Sequence, residues 1–216
     1  MIAEKIKYYQ SEVADAKLIA VSKKKSVEDI LEAYDAGQRD FGENYIQELT
    51  EKKDQLPEDI RWHFIGHLQR NKVKYISEFI HLIHAVDSIR LIKEINKQAL
   101  KQDKMIDVLL QLHLAQENSK FGIPVNDFEI FIGELKKAQI SNVRIKGLMT
   151  MASNTDDEKQ IRAEFEKAKK FSILLQTLYP DAKELSMGMS GDYKIAIEQG
   201  STMVRIGSSI FGKRDY

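Results

Sequence analysis

The 216-residue chain has no cysteine, only three prolines, no excess of either charge and no long apolar run. Without cysteine there can be no disulfide, no thiolate nucleophile and no cysteine-ligated zinc or iron–sulfur cluster, a composition compatible with a reducing compartment. The 33 basic and 33 acidic side chains cancel. No global field therefore draws the chain to nucleic acid or to an anionic membrane, and any bound anion must be caught by a local site. No apolar stretch approaches the roughly 18 residues of a bilayer span. The opening MIAEKIKYYQ has the pattern of an amphipathic helix rather than of a signal peptide. These absences describe a cytoplasmic protein that binds neither nucleic acid nor membrane. The prolines stand singly near proposed element ends, with no linker, low-complexity tract or internal repeat. One domain over 1–216 is expected, within the size that a single core supports.

What is present is an alternation of short, β-branched apolar runs with longer stretches of helical period. Eight runs read as strands: Lys17 to Lys23, Asp40 to Gly42, Trp62 to Gly66, Ile80 to Val86, Ile106 to Leu114, Val143 to Thr150, Glu184 to Met187, and Thr202 to Ile206. Ser26, with Asp29 three residues on, opens a helix carrying Val27, Ile30, Leu31 and Tyr34 on one face, and Gly37 ends it,. Thr155 with Glu158 has the same spacing before a stripe of Ile161, Phe165, Ala168, Leu175 and Leu178. Helices also fit Tyr45 to Leu56, Leu68 to Glu78, Ser88 to Lys101, Asn126 to Ala138 and Tyr193 to Gln199. Eight βα repeats suit a closed (β/α)₈ TIM barrel of the α/β class better than an open doubly wound sheet. No G-x-G-x-x-G follows the first strand, where a dinucleotide-binding sheet would carry it.

In a barrel of this kind the chemistry sits at the C-terminal ends of the strands. Lys23 follows Leu18, Ile19, Ala20 and Val21, which puts its amine near the mouth, where a partly desolvated lysine can attack an aldehyde. The bland reading makes Lys23, Lys24 and Lys25 one solvated basic run. Gly207, Ser208 and Ser209 follow the last strand and offer N–H groups and hydroxyls of the kind that hold phosphate after late barrel strands, or else form an ordinary turn. Ser190, at the preceding strand end, either adds a hydroxyl or caps the next helix. Because the last strand pairs with the first in a closed barrel, a phosphate near Gly207 and Ser208 would lie beside Lys23.

Arg205 alternates with Val204 and Ile206. It therefore faces the interior, where it needs an acceptor, or it is a surface arginine at the barrel end. Asn44, just past the second strand, either reaches a ligand near Lys23 or caps a helix. His63 and His67 have i, i+4 spacing, but that spacing joins ligands only on a helix and this stretch reads as strand, so no metal site is expected. Neither a G-x-S-x-G elbow nor a Walker loop is present.

Several of these segments, taken in order, resemble the pyridoxal phosphate homeostasis protein family, whose barrel is similar to the N-terminal domain of alanine racemase. They are Ala20-Val21-Ser22-Lys23, Phe41 to Glu48 (FGENYIQE), Trp62 to Lys72 (WHFIGHLQRNK), Glu117 to Gly122 (ENSKFG), Gly147-Leu148-Met149, Leu185 to Ser190 (LSMGMS), and Val204 to Ser208 through Phe211-Gly212. The resemblance implies a fold-type III barrel that carries pyridoxal 5′-phosphate as an aldimine on Lys23. By the same resemblance Ser190, Gly207 and Ser208 hold the phosphate, Arg205 faces the pyridine nitrogen and Asn44 lies on the opposite side of the cofactor. Ser208 stands where threonine is usual, and Gly191 where an acidic residue often follows.

A guanidinium cannot accept a proton, so Arg205 beside the ring nitrogen would leave it unprotonated and a weak electron sink. The sequence stops at Tyr216, without the further β-domain from which racemases of this type draw a second acid–base group. The expectation is a monomeric carrier or buffer in vitamin B6 homeostasis, without evident turnover, which hands the cofactor to pyridoxal phosphate-dependent apoenzymes. The alternatives are a weak amino-acid racemase or related enzyme using the same cofactor, and a Schiff-base aldolase acting on a sugar phosphate.

Overall fold

The computed structural model describes residues 1–115 and 121–212. The elements run α1 (Ile2–Glu12), β1 (Lys17–Val21), α2 (Val27–Asp35), β2 (Asp40–Glu43), α3 (Ile46–Lys53), β3 (Arg61–Phe64), a 3₁₀ turn (Arg70–Tyr75), β4 (Leu82–Val86), α4 (Ile89–Lys101), β5 (Ile106–His113), β6 (Ile123–Pro124), a second 3₁₀ turn (Val125–Asp127), α5 (Phe128–Lys137), β7 (Val143–Met149), α6 (Glu158–Leu178), β8 (Glu184–Met189), α7 (Tyr193–Glu198), β9 (Met203–Ile206) and α8 (Ser208–Phe211). All strand pairs are parallel. The order β4-β3-β2-β1-β9-β8-β7-β5 closes through a β4–β5 pair, giving the expected eight-stranded barrel; β6 adds two residues outside β5.

Alternation along the strands sorts the apolar residues into two layers. Leu18, Ala20, Phe41, Phe64, Val204 and Ile206 pack outward with helix residues such as Ile30, Ile95 and Phe165. Ile19, Leu82, Ala85, Leu109, Met149 and Met203 form a separate cluster made of strand residues alone, which fills the barrel interior.

Two helix expectations are corrected. Leu68 to Glu78 is a 3₁₀ turn over Arg70–Tyr75 rather than an α-helix. Its buried Leu68, Val73 and Ile76 stand five and three apart, which does not make an α-helical stripe. The helix expected to start from Thr155 is instead capped by Asp157, whose carboxylate accepts N–H bonds from Lys159 and Gln160, while Thr155 accepts the N–H of Asp157. Ser26 caps α2 as read, accepting the Asp29 N–H.

The strand phases are reset by bulges that a single-strand pattern does not reveal. On β7, Ile145 pairs with Val108 and Gly147 with Leu109, so Lys146 is an extra residue, and the shift turns Leu148 outward and Met149 inward,. Gly147 has φ +150°, and a Cβ there would lie 1.8 Å from the Glu184 carbonyl oxygen. Gly147→Ala is expected to cost more than about 4 kcal/mol in chemical denaturation, the range of exceptional single substitutions. A loss within about 0.5 kcal/mol, as at an ordinary surface site, would contradict the bulge geometry.

Candidate functional site

The β1–β9 seam sets the site. Ala20 pairs with Ile206, so the chain leaves both strands at the same height, and Val21, Lys23, Lys25, Gly207, Ser208 and Gly212 line one small pocket. The strand ends at Val21, not at Lys23. Ser22 N–H still bonds to the Gly42 carbonyl (3.0 Å), Lys25 N–H then closes onto the Ser22 carbonyl (3.1 Å), and Lys24 turns with φ +58°. The basic run is not uniformly solvated, since Lys23 and Lys25 are half-buried and only Lys24 is exposed. A Cβ on Gly207 would lie 3.2 Å from both the Cβ and the carbonyl oxygen of Val21. Glycine is what lets this loop rest directly on the end of β1.

Asn44 stands at the same height as Lys23, because Val21 pairs with Gly42 and each residue is two positions further on. It is not the α3 cap, a position taken by Tyr45. Its Oδ1 is buried and has no hydrogen-bond donor among the described residues, an arrangement that costs free energy unless a ligand supplies one. Gly66 makes room for this residue, since a Cβ there would meet the Asn44 carbonyl oxygen at 2.5 Å. Ser190 directly follows β8 at the rim beside β9, and the α7 cap position belongs to Asp192 instead. The Glu117 to Gly122 segment lies mostly outside the described residues.

Arg205 sits below this rim, turned inward as alternation requires. It is 4% exposed. Its guanidinium donates to the Ser186 carbonyl (2.9 Å), the Ser186 hydroxyl (2.7 Å) and the Thr150 carbonyl (2.9 Å). Among the described residues no carboxylate comes within ion-pair distance of it. Burial pushes its pKa down to about 10, so it keeps its charge at neutral pH.

Two networks around the site join residues that the sequence pattern leaves unconnected. The first holds the Lys23 segment from behind. Lys52 Nζ donates to the Ser22 carbonyl (2.8 Å), to Glu43 Oε1 (2.8 Å) and to Glu48, while Ser22 Oγ donates to Glu43 Oε1 (2.7 Å) and the Lys24 N–H to Glu48. Glu43 is fully buried, which pushes its carboxyl above the ordinary range against the pull of Lys52. Glu43, Asn44 and Glu48 share the FGENYIQE motif, so one stretch of β2 and α3 both supports the Lys23 turn and lines its neighbour.

The second group crosses the barrel interior. His63 bonds to His84 (2.9 Å) and to Asp40 (2.9 Å), and His84 to Ser186 (3.0 Å). His63 does not pair with His67, which stacks on Phe121. Asp40, His63 and His81 each place a donor atom within 4.8 Å of the others. Arg61, however, already engages both Asp40 oxygens, which puts a cation where an ion would have to approach.

Residues 1–215 match the family described as the alanine racemase N-terminal domain. Proteins named pyridoxal phosphate homeostasis protein are 43% identical over 92% of the chain and 87% of the relative in Vibrio alginolyticus, and 40% identical over 93% and 77% in Homo sapiens. The solved structure of PipY from Synechococcus elongatus with PLP bound is 35% identical, covers 98% of this chain and 100% of its own, and superposes with a TM-score of 0.89. Alanine racemase of Streptomyces lavendulae, 15% identical with a TM-score of 0.82, shares the barrel over 59% of its length. None of the described helices is long and apolar enough to cross a membrane. The chain belongs to the pyridoxal phosphate homeostasis protein family, on the barrel of the alanine racemase N-terminal domain.

Proposed function

We propose that this chain is a single-domain cytoplasmic protein, monomeric, that binds pyridoxal 5′-phosphate at the barrel mouth through Lys23 and serves as its carrier or buffer without turnover. The observation that carries the reading is the shared pocket of Lys23, Gly207 and Ser208 at the β1–β9 seam, together with the PLP-bound PipY structure. When bound, the cofactor supplies an aldehyde that condenses with a primary amine, and a phosphate that N–H and hydroxyl groups can hold.

The residues present fit such a group. Lys23 supplies the amine beside the loop that would hold the phosphate. Gly207 keeps that loop free of a Cβ that would press on Val21, and the Ser190 and Ser208 hydroxyls stand at the same rim. The unsatisfied Asn44 Oδ1 is an acceptor for a ligand hydroxyl on the other side of Lys23. Arg205, charged and fixed below, can donate to the pyridine nitrogen but cannot protonate it fully. That limits carbanion chemistry and favours holding the cofactor over turning over amino acids, in keeping with the name of the relatives, which denotes homeostasis rather than an enzyme.

The carrier role predicts transfer. Protein loaded with the cofactor and freed of excess should restore activity to a pyridoxal phosphate-requiring apoenzyme, with loss of the visible band of the donor. A loaded protein that keeps its band and leaves the apoenzyme inactive would contradict the role.

A further inference from the structure

The interior chain of polar groups has two ends of opposite character. Arg205 at one end can only donate hydrogen bonds, and an ionised Asp40 at the other can only accept them. Asp40 is ionised: burial opposes it, but hydrogen bonds from Arg61 and His63 outweigh that and hold its carboxyl well below the usual range. The members between the ends carry one transferable hydrogen each when neutral. His63 Nε2 must donate to Asp40 Oδ1 (2.9 Å), which leaves its Nδ1 to accept from His84 Nε2 (2.9 Å). His84 Nδ1 must then accept from the Ser186 hydroxyl (3.0 Å), whose oxygen takes the Arg205 N–H (2.7 Å). Reversing any link would set a bare imidazole nitrogen against the Asp40 carboxylate. Burial also keeps both rings neutral, pushing His63 down to about 4 and His84 well below its ordinary range.

We propose that Asp40, His63, His84 and Ser186 form a one-way hydrogen-bond chain that orients the Arg205 guanidinium from the opposite end of the barrel. They act as positioning residues for whatever Arg205 contacts. Arg205 depends on such positioning because its direct partners are neutral, two carbonyls and a hydroxyl, and among the described residues no ion pair fixes its orientation. Asp40, at the first residue of β2, is held by Arg61 on both its oxygens, which fixes the accepting end of the chain away from the ligand site. The role towards the pyridine ring rests on the proposed function; the direction of the chain does not.

The test begins without cofactor. Long-range ¹H–¹⁵N correlation at neutral pH should show both His63 and His84 as Nε2–H tautomers. Ser186→Ala should move the His84 Nδ1 resonance toward that of an unbonded acceptor and leave the His63 tautomer unchanged. An Nδ1–H tautomer at either ring, or a cationic ring, overturns the chain whether or not the protein binds pyridoxal phosphate. With pyridoxal 5′-phosphate as the probe, Ser186→Ala and Asp40→Asn should each shift the visible spectrum of the bound form and weaken binding about three- to tenfold, the worth of one hydrogen bond. Ser186→Ala also serves if Asp40→Asn fails to fold. An unchanged spectrum and affinity in Ser186→Ala would overturn the positioning role. A wild-type protein that takes up no cofactor would contradict the functional reading and leave the tautomers to be read on their own.

Discussion

Lys23→Ala is expected to abolish the visible band and the borohydride-fixable adduct formed with pyridoxal 5′-phosphate, while the fold survives. Lys23 is half-buried at the turn after β1 rather than inside the core. What is lost is the amine just past the end of β1, the position proposed to bond covalently to the aldehyde. Ser190, Gly207 and Ser208 would still offer hydrogen bonds to phosphate, so weak non-covalent binding should persist in equilibrium dialysis. Lys24→Ala and Lys25→Ala, in the same basic run, should keep the band. A Lys23→Ala protein that retains both band and adduct would mean that another lysine carries the ligand.

The second large effect is expected at Lys52→Met. Lys52 is 7% exposed and its partner Glu43 is fully buried. Removing one member of a buried ion pair costs about 3–5 kcal/mol because the other charge is left behind. Glu43 escapes part of that cost by taking up a proton, since its carboxyl is already raised by burial. The sign follows from that. A carboxyl whose folded pKa lies above its unfolded value destabilises progressively as pH rises past the unfolded value of about 4.3, so the Lys52→Met penalty should be small in acid and grow toward neutral pH. Glu43→Gln should cost less than Lys52→Met at pH 7, because Lys52 keeps Glu48 and the Ser22 carbonyl as partners, whereas Glu43 loses its cation in the other variant. Denaturation curves at several pH values check this, with Lys53→Met, at an exposed neighbouring position, as reference. Because Lys52 also ties down the Ser22 carbonyl, the same variant should bind the cofactor more weakly. A penalty no larger than that of Lys53→Met, or one independent of pH, would contradict the buried network.

Much of this architecture was legible from residue patterns. The eight barrel strands are short runs set between stretches of helical period, and the inward turn of Arg205 follows from its place between Val204 and Ile206. The pairing of Lys23 with Gly207 and Ser208 follows from closure alone. Other features depend on partners distant in sequence. The β7 bulge at Lys146 exists only relative to β5, although a glycine inside a strand is its local sign. β6 is two residues long and has no pattern to read. His63 and His84 stand on adjacent strands in the inward phase, which would have paired them had the strand register been known. The Lys52–Glu43 pair was hidden because a lysine late in a polar helix ordinarily faces water, and here the helix end lies over the Lys23 turn.

The central claim is that Lys23 is the covalent anchor for pyridoxal 5′-phosphate at the mouth of this barrel. The most direct measurement is borohydride reduction of the wild-type protein after incubation with the cofactor, followed by digestion and mass mapping. The account predicts a single reduced pyridoxyl phosphate addition, on the peptide that contains Lys23. No addition, or one spread over surface lysines, would contradict it.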